Sequence, residues 1–247
     1  MLPKIWFIDT YSLLIFIGVI ACFLLFWIYK NKYKINEKYT YDIFILACIS
    51  IGVGIGFAVL FQLLFDAING EIRGSAMTFY GGLVGGIITF LIGHWTVIRK
   101  HYPDIKIVPT LFPIAPACIT VAHAFGRLGC FMAGCCYGKQ TDSFLGVTFP
   151  GMTHPVLPTQ LFEAIFLFIL TAVMFTLALK KKYLHNLSIY LFSYGVFRFL
   201  IEYLRGDDRG AFFLNLSPSQ FFSIIAITSS ILISTILITK KEKNKEK

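Results

Sequence analysis

Apolar positions in this sequence come in long runs and not in alternation. The runs lie near residues 11–29, 43–65, 79–98, 108–126, 160–179, 187–204 and 218–239, and few charges interrupt them. A helix needs about 20 mostly apolar residues to cross a bilayer. In lipid every backbone N–H and C=O must also be satisfied inside the protein, which favours helices over any open sheet. The pattern therefore predicts an all-α integral membrane protein of about seven transmembrane helices. We expect a single membrane domain over 1–239 followed by a basic cytoplasmic tail at 240–247 that lies disordered on the membrane surface.

The polar positions between the runs orient it. Lys30, Lys32, Lys34 and Lys38 follow the first run; Arg99, Lys100 and Lys106 follow the third. Lys180, Lys181 and Lys182 follow the fifth, and Lys240, Lys241, Lys243, Lys245 and Lys247 follow the seventh. All of these fall on alternate loops. Lysine and arginine collect on cytoplasmic loops, so the N-terminus is expected outside and the C-terminus inside. The remaining basic residues, Lys4, Arg73, Arg127, Lys139, Arg198, Arg205 and Arg209, run against that bias and need another reason to exist. Segment 127–159 is too long and polar for a tight turn. It reads as a small extracytoplasmic head or a partly re-entrant loop, and long ordered loops are usually functional.

Composition excludes the main soluble alternatives. Of 247 residues 57% are hydrophobic and 14% charged, and the mean hydropathy is +0.74. A soluble domain of this size cannot bury so much apolar surface. The net charge of +9 is accounted for by topology. No basic stripe interleaved with aromatics marks a nucleic-acid module, so no nucleic-acid partner is expected. The first run is read as a retained helix, because its basic cluster follows it and does not precede it. Glycines four apart, Gly52 with Gly56, Gly81 with Gly85 and Gly82 with Gly86, predict smooth strips for close helix packing. Those at Tyr80-Gly81-Gly82 also leave room for a lipid.

Three constellations carry candidate chemistry. The densest is His123 to Lys139, with Gly126, Arg127, Gly129, Cys130, Gly134, Cys135, Cys136 and Gly138. Its glycines predict an irregular, tightly turned backbone lining a cavity. An arginine at membrane depth is costly unless paired or facing water, and its fork geometry fits an anionic phosphate. The three cysteines admit packing, a disulfide, a reactive thiolate or a metal. Their C-x4-C-C spacing is not a strong zinc pattern, and no metal is expected. The second constellation is Tyr194, Arg198, Glu202 and Arg205, spaced to share one helix face, with Arg198 and Glu202 close enough to pair. The third is Pro158-Thr159-Gln160-Leu-Phe-Glu163, where Thr159 is expected to cap a helix and Glu163 sits inside an apolar run.

These residues resemble the bacterial prolipoprotein diacylglyceryl transferase family. The resemblance is carried by Gly126-Arg127-Leu128-Gly129-x-Phe131 with Gly134 and Tyr137-Gly138. Tyr80-Gly81-Gly82-Leu83 precedes it, Pro158 to Ala164 follows, and Tyr194-Gly-x-Phe-Arg198-x-x-x-Glu202-x-x-Arg205 comes later, all in the family's order. The resemblance implies transfer of the diacylglyceryl group of phosphatidylglycerol to the lipobox cysteine of a preprolipoprotein. A thioether forms and glycerol phosphate leaves. It implies a bacterial cytoplasmic-membrane enzyme with its site toward the extracytoplasmic side and no cofactor. Its partners would be phosphatidylglycerol, lipobox-bearing signal peptides and the bilayer. Arg127, Arg198, Arg205, Tyr194, Gly81 and Gly82 are then expected at the phospholipid, and Arg198, Glu202, Tyr80, Cys130 and Cys135 at the chemistry. Gly129, Gly138, Gln160 and Glu163 would support them. The chain departs from the family pattern at Tyr80, usually histidine, at Cys130, usually asparagine, and at Cys135, usually glutamate. The phosphate-binding half of the expected site is thus retained and the thiol-activating half altered. A related lipid or acyl transferase with another acceptor, or a non-catalytic lipid-binding membrane protein, are the alternatives.

Overall fold

The computed structural model describes residues 4–5, 8–69, 79–181, 183–206 and 216–243. Arg73, Lys182, Asp207, Asp208, Arg209 and the end of the tail, 244–247, fall outside them. A short antiparallel pair, β1 (Lys4–Ile5) and β2 (Ile8–Asp9), opens the chain. The helices are α1 (Thr10–Tyr33), α2 (Glu37–Asn69), α3 (Phe79–Gly93), α4 (Arg99–His101), α5 (Ile107–Leu111), α6 (Ala115–Ala133), α7 (Thr159–Lys181), α8 (Asn186–Ile201) and α9 (Pro218–Lys243). A π-helical turn at His94–Ile98 joins α3 to α4. Six of these stretches are long and apolar enough to cross a membrane: 10–33, 37–64, 81–101, 159–180, 186–204 and 218–239. The protein is an all-helical, multi-span membrane protein apart from its short β1–β2 ladder.

The run at 108–126 behaves differently from the other six. Pro109, Pro113 and Pro116 each lack the N–H a helix needs, and the chain breaks between α5 and α6. The carbonyl of Pro113 accepts instead from the buried Asn186 amide at 2.7 Å, which also donates to Met174 O at 2.8 Å. The helix resumes and runs past its expected end, to Ala133. Segment 127–133 is therefore helical, and the non-helical head is 134–158. The tail differs as well, because α9 continues through Lys240 and Lys241 to Lys243.

The chain divides into two compact units. The first contains residues 1–32 and 107–247, the second residues 33–106. In the first, α7 is the central helix. Gln160, Glu163, Ala164, Leu167, Leu170, Thr171, Met174 and Ala178 are all buried, a stripe at helical spacing. Thr171 Oγ1 donates to Thr120 Oγ1 of α6 at 2.8 Å within that stripe. Asp9 caps α1, its carboxylate accepting from Ser12 N and Ser12 Oγ, each at 3.0 Å.

In the second unit α2 packs along α3 through glycine. A Cβ at Gly54 would lie 2.8 Å from Gly82 O, and one at Gly81 would lie 2.7 Å from Phe61 Cβ. Gly82 and Gly85 face Ala58 and Phe57 in the same way. The α3 strip thus packs as its spacing predicts. The α2 strip does not: Gly52 and Gly56 meet nothing within 4 Å, and Gly54, on the other side of the helix, makes the contact. Spacing alone cannot say which side of an apolar helix meets a neighbour when all sides are apolar.

Candidate active site

Helices α6, α7 and α8 bring their charged residues to one carboxylate. Glu163 lies one turn into α7 and is 1% exposed. Its Oε1 accepts from the Tyr194 hydroxyl at 2.8 Å, and its Oε2 lies 3.1 Å from Arg127 Nε and 3.9 Å from Arg198 Nη1. His123 Nε2 is 3.7 Å from Oε1 and accepts from Arg127 Nε at 3.3 Å. His123 and Arg127 stand four residues apart on α6, as do Tyr194 and Arg198 on α8, so each helix turns two groups to the same place. The His123 and Tyr194 rings meet edge to face at 5.3 Å. Glu163, expected only to support the site, is its hub.

A second ring lies around Arg198. Its Nη2 is 2.8 Å from Glu202 Oε2 and donates to Ser219 Oγ at 2.8 Å. Ser217 Oγ donates to Glu202 Oε1 at 2.9 Å. Ser217 also begins α9: its Oγ accepts from Gln220 N at 3.2 Å while Gln220 Oε1 accepts from Ser217 N at 3.1 Å. This reciprocal capping box places both serines against Arg198 and Glu202. Neither serine was among the expected site residues, and His123 was placed in the densest constellation without a role, yet Ser-x-x-Gln before an apolar run is a signature that the sequence displays. Two arginines thus face two glutamates in a buried setting. Arg198 Nη1 is itself buried and makes no hydrogen bond among the described residues.

Beyond the arginines the chain closes a tight head. Helix α6 ends at Gly134, whose φ of 69° a glycine adopts without strain. The next carbonyls are held by the start of α7: Gln160 Nε2 donates to Cys135 O and Thr159 Oγ1 to Cys136 O, each at 3.1 Å. Thr159 therefore ties down the head instead of capping α7. Gly138 then bridges to Arg205, with Gly138 N donating to Leu157 O at 2.7 Å and Lys139 N to Leu204 O at 2.8 Å. The approach admits only glycine, since a Cβ would sit 2.5 Å from Leu204 O. Tyr137, Lys139, Gln140, Met152 and His154 line a cleft of about 620 Å³ in the head.

Two sequence expectations change here. The shared face of Tyr194, Arg198, Glu202 and Arg205 holds only for the first three. Helix α8 ends at Ile201, a 3-10 turn follows, and Arg205 takes extended backbone (ψ 145°) to pair with the head. The irregular backbone expected at Gly126 and Gly129 is helix. Gly129 serves close packing, because a Cβ there would meet the Tyr11 ring of α1 at 2.8 Å. The three head cysteines do converge, with their sulfurs within 4.8 Å of one another. The Cys136 thiol is drawn below its ordinary range by hydrogen bonds with Cys130 and Cys135 and by the Arg205 guanidinium. Tyr80, Gly81 and Gly82 open α3 in the second unit, where the two glycines pack on α2.

A family model described as Prolipoprotein diacylglyceryl transferase matches residues 3–236. The chain is 33% identical over 243 residues to the phosphatidylglycerol–prolipoprotein diacylglyceryl transferase of Clostridium tetani, covering 93% of each. It is 32% identical to phosphatidylglycerol–prolipoprotein diacylglyceryl transferase 2 of Clostridium perfringens, over 93% of this chain and 91% of that one. With the Chlorobaculum tepidum protein of the same name the identity is 36% over 186 residues, 72% of this chain and 58% of that one.

Proposed function

Because the chain belongs to the prolipoprotein diacylglyceryl transferase family, we propose that it transfers the diacylglyceryl group of phosphatidylglycerol to the lipobox cysteine thiol of a preprolipoprotein. The observation that carries this reading is the buried Arg127–Glu163–Arg198–Glu202 cluster, in which Arg198 Nη1, 3.9 Å from Glu163 Oε2, makes no hydrogen bond among the described residues. The acceptor thiolate attacks the glyceryl carbon, a C–S bond forms, and the C–O bond to phosphate breaks. Glycerol phosphate leaves with the electron pair. The negative charge grows on the leaving phosphate, and donors already aimed at that charge stabilise it without reorganising. Arg127 and Arg198 are those donors. Glu163 and Glu202 hold the guanidiniums in place, and Tyr194, Ser217 and Ser219 hold the carboxylates and Arg198. Arg205 and Gly138 close the head beside them, with Gln160 anchoring Cys135.

Activation of the acceptor thiol is assigned to the cationic setting of Arg127 and Arg205. Tyr80, at the motif position where the family usually has histidine, is the candidate contribution of α3, with Gly81 and Gly82 beside it. Helix α6, roughly 28 Å long at 1.5 Å per residue, supplies the seventh span. The chain then lies N-out and C-in in a bacterial cytoplasmic membrane, with the 134–158 head outside.

The test is a purified-protein assay with phosphatidylglycerol vesicles and a lipobox peptide. We expect the peptide to gain the diacylglyceryl mass as glycerol phosphate is released. Arg127→Ala should lower both rates by more than about 100-fold, the size of effect seen when one preorganised charge-stabilising donor is removed. Equal rates in wild type and Arg127→Ala would overturn the assignment.

A further inference from the structure

The head cysteines, of which Cys130 and Cys135 stand at positions the resemblance assigns to the chemistry, have no role in the transfer step proposed above. Cys130 stands on the last turns of α6, and Cys135 and Cys136 follow the Gly134 turn. Their sequence spacing is no zinc signature. The fold nevertheless gathers the three sulfurs within 4.8 Å, and all three are free thiols. Two backbone features produce this. Gly134 reverses the chain, so that Cys135 N donates to Cys130 O at 3.1 Å. Cys136 then takes φ of 65°, a left-handed conformation uncommon for a residue with a Cβ. Thr159 and Gln160 hold the carbonyls of this turn to α7, so the thiols sit on a braced backbone.

We propose that Cys130, Cys135 and Cys136 form a three-thiolate site for one soft metal ion of the zinc, cadmium or copper(I) class. Thiolate is the preferred donor for such ions. With metal–sulfur bonds of about 2.3 Å, three ligands of one ion lie about 4 Å apart, so side-chain rotations of under about 1 Å complete the site. Arg127 and Arg205 beside it offset the negative charge of three thiolates. Among the described residues no imidazole or carboxylate joins the group, so the ion keeps an open position, and Cys135, the exposed member, marks the side from which a further donor enters. The ion would cross-link the end of α6 to the turn that α7 and the Arg205 bridge hold. The inference is independent of the transferase reading, since occupancy is read without any turnover.

The experiment uses the full chain in detergent, reduced and stripped with chelator, and titrated with cadmium. We expect one cadmium per chain by native mass spectrometry, with the ultraviolet charge-transfer band of cadmium–thiolate bonds. Bound cadmium should block alkylation of three cysteines. A Cys22→Ser/Cys48→Ser/Cys118→Ser variant should bind as the wild type does. Each single serine replacement at Cys130, Cys135 or Cys136 should weaken binding by more than about 100-fold, beyond what outer-shell changes produce. A variant that fails to fold is replaced by the alkylation readout, which needs only wild-type protein. The proposal falls if cadmium leaves the three thiols open to alkylation. It falls equally if a disulfide between two of them persists after reduction, or if binding follows Cys22, Cys48 and Cys118 instead.

Discussion

At the scale of single residues, Glu163 decides the most. It is one buried carboxylate shared by two arginines, a tyrosine and a histidine. Removing one partner from a buried ion pair leaves an uncompensated charge and costs about 3–5 kcal/mol. Glu163→Ala should therefore lower the thermal midpoint of the detergent-solubilised protein clearly and abolish transfer. Glu163→Gln, which keeps an acceptor for Tyr194, should recover part of the stability and little of the activity. Arg198→Lys separates charge from shape. The ammonium keeps the charge but loses the planar fork that reaches Ser219, Glu202 and Glu163 from two nitrogens. We expect a fall in transfer rate of at least about tenfold at nearly unchanged expression, read in the same peptide assay. The serines are lesser contributors. Ser217→Ala and Ser219→Ala should each destabilise by about 1 kcal/mol, the usual worth of one hydrogen bond. Ser217→Ala should couple to Glu202→Gln in a double-mutant cycle, because Ser217 donates to that carboxylate.

At the scale of elements, glycines set how closely helices approach. Gly138→Ala would push a methyl into Leu204 O and Thr159 Cγ2, at a cost of about 1–3 kcal/mol for overpacking. It should also part the head from Arg205, so activity should fall further than stability, measured by transfer rate against thermal midpoint. Gly52→Ala and Gly56→Ala meet open space and gain helix propensity, so neither should destabilise the protein. The sequence made the element types plain, because apolar runs of span length have few other readings. It left three details open. The proline cluster at 109–116 breaks one run, the carbonyl it frees is claimed by Asn186, and the last turns of α6 extend through glycines that normally argue for a break. The last two involve partners distant in sequence, Asn186 for the Pro113 carbonyl and Tyr11 for Gly129.

At the scale of the whole molecule, the proposed N-out orientation rests on the lysine pattern along the chain. Lys30 packs over the Trp27 ring at 4.6 Å and Arg99 over Trp95 at 4.4 Å, the interfacial aromatic–cation arrangement. Both fall beside loops assigned to the cytoplasm. Single cysteines placed at Lys32 and Lys106 of a cysteine-free background should resist a membrane-impermeant maleimide in intact cells. One placed at Asp142 in the head should react. Labelling of all three would mean that α6 does not cross and that the seven-span, N-out arrangement is wrong.

What the sequence determined by itself was what is local or additive. Hydrophobicity summed over about 20 residues makes a span, and the ordered motifs around Arg127, Glu163 and Arg198 mark the family; the orientation proposed here rests on charge counted by loop. What the tertiary structure decided was every matter of partnership. It made Glu163 the hub, brought Ser217 and Ser219 to Arg198, took Arg205 off its helix to pair with Gly138, and gathered three sulfurs whose spacing is not a strong zinc pattern. The physical reason is that side-chain interactions fall off within a few ångströms, while most of the residues that meet here are separated by tens of positions. Only the packed helices bring them within that range.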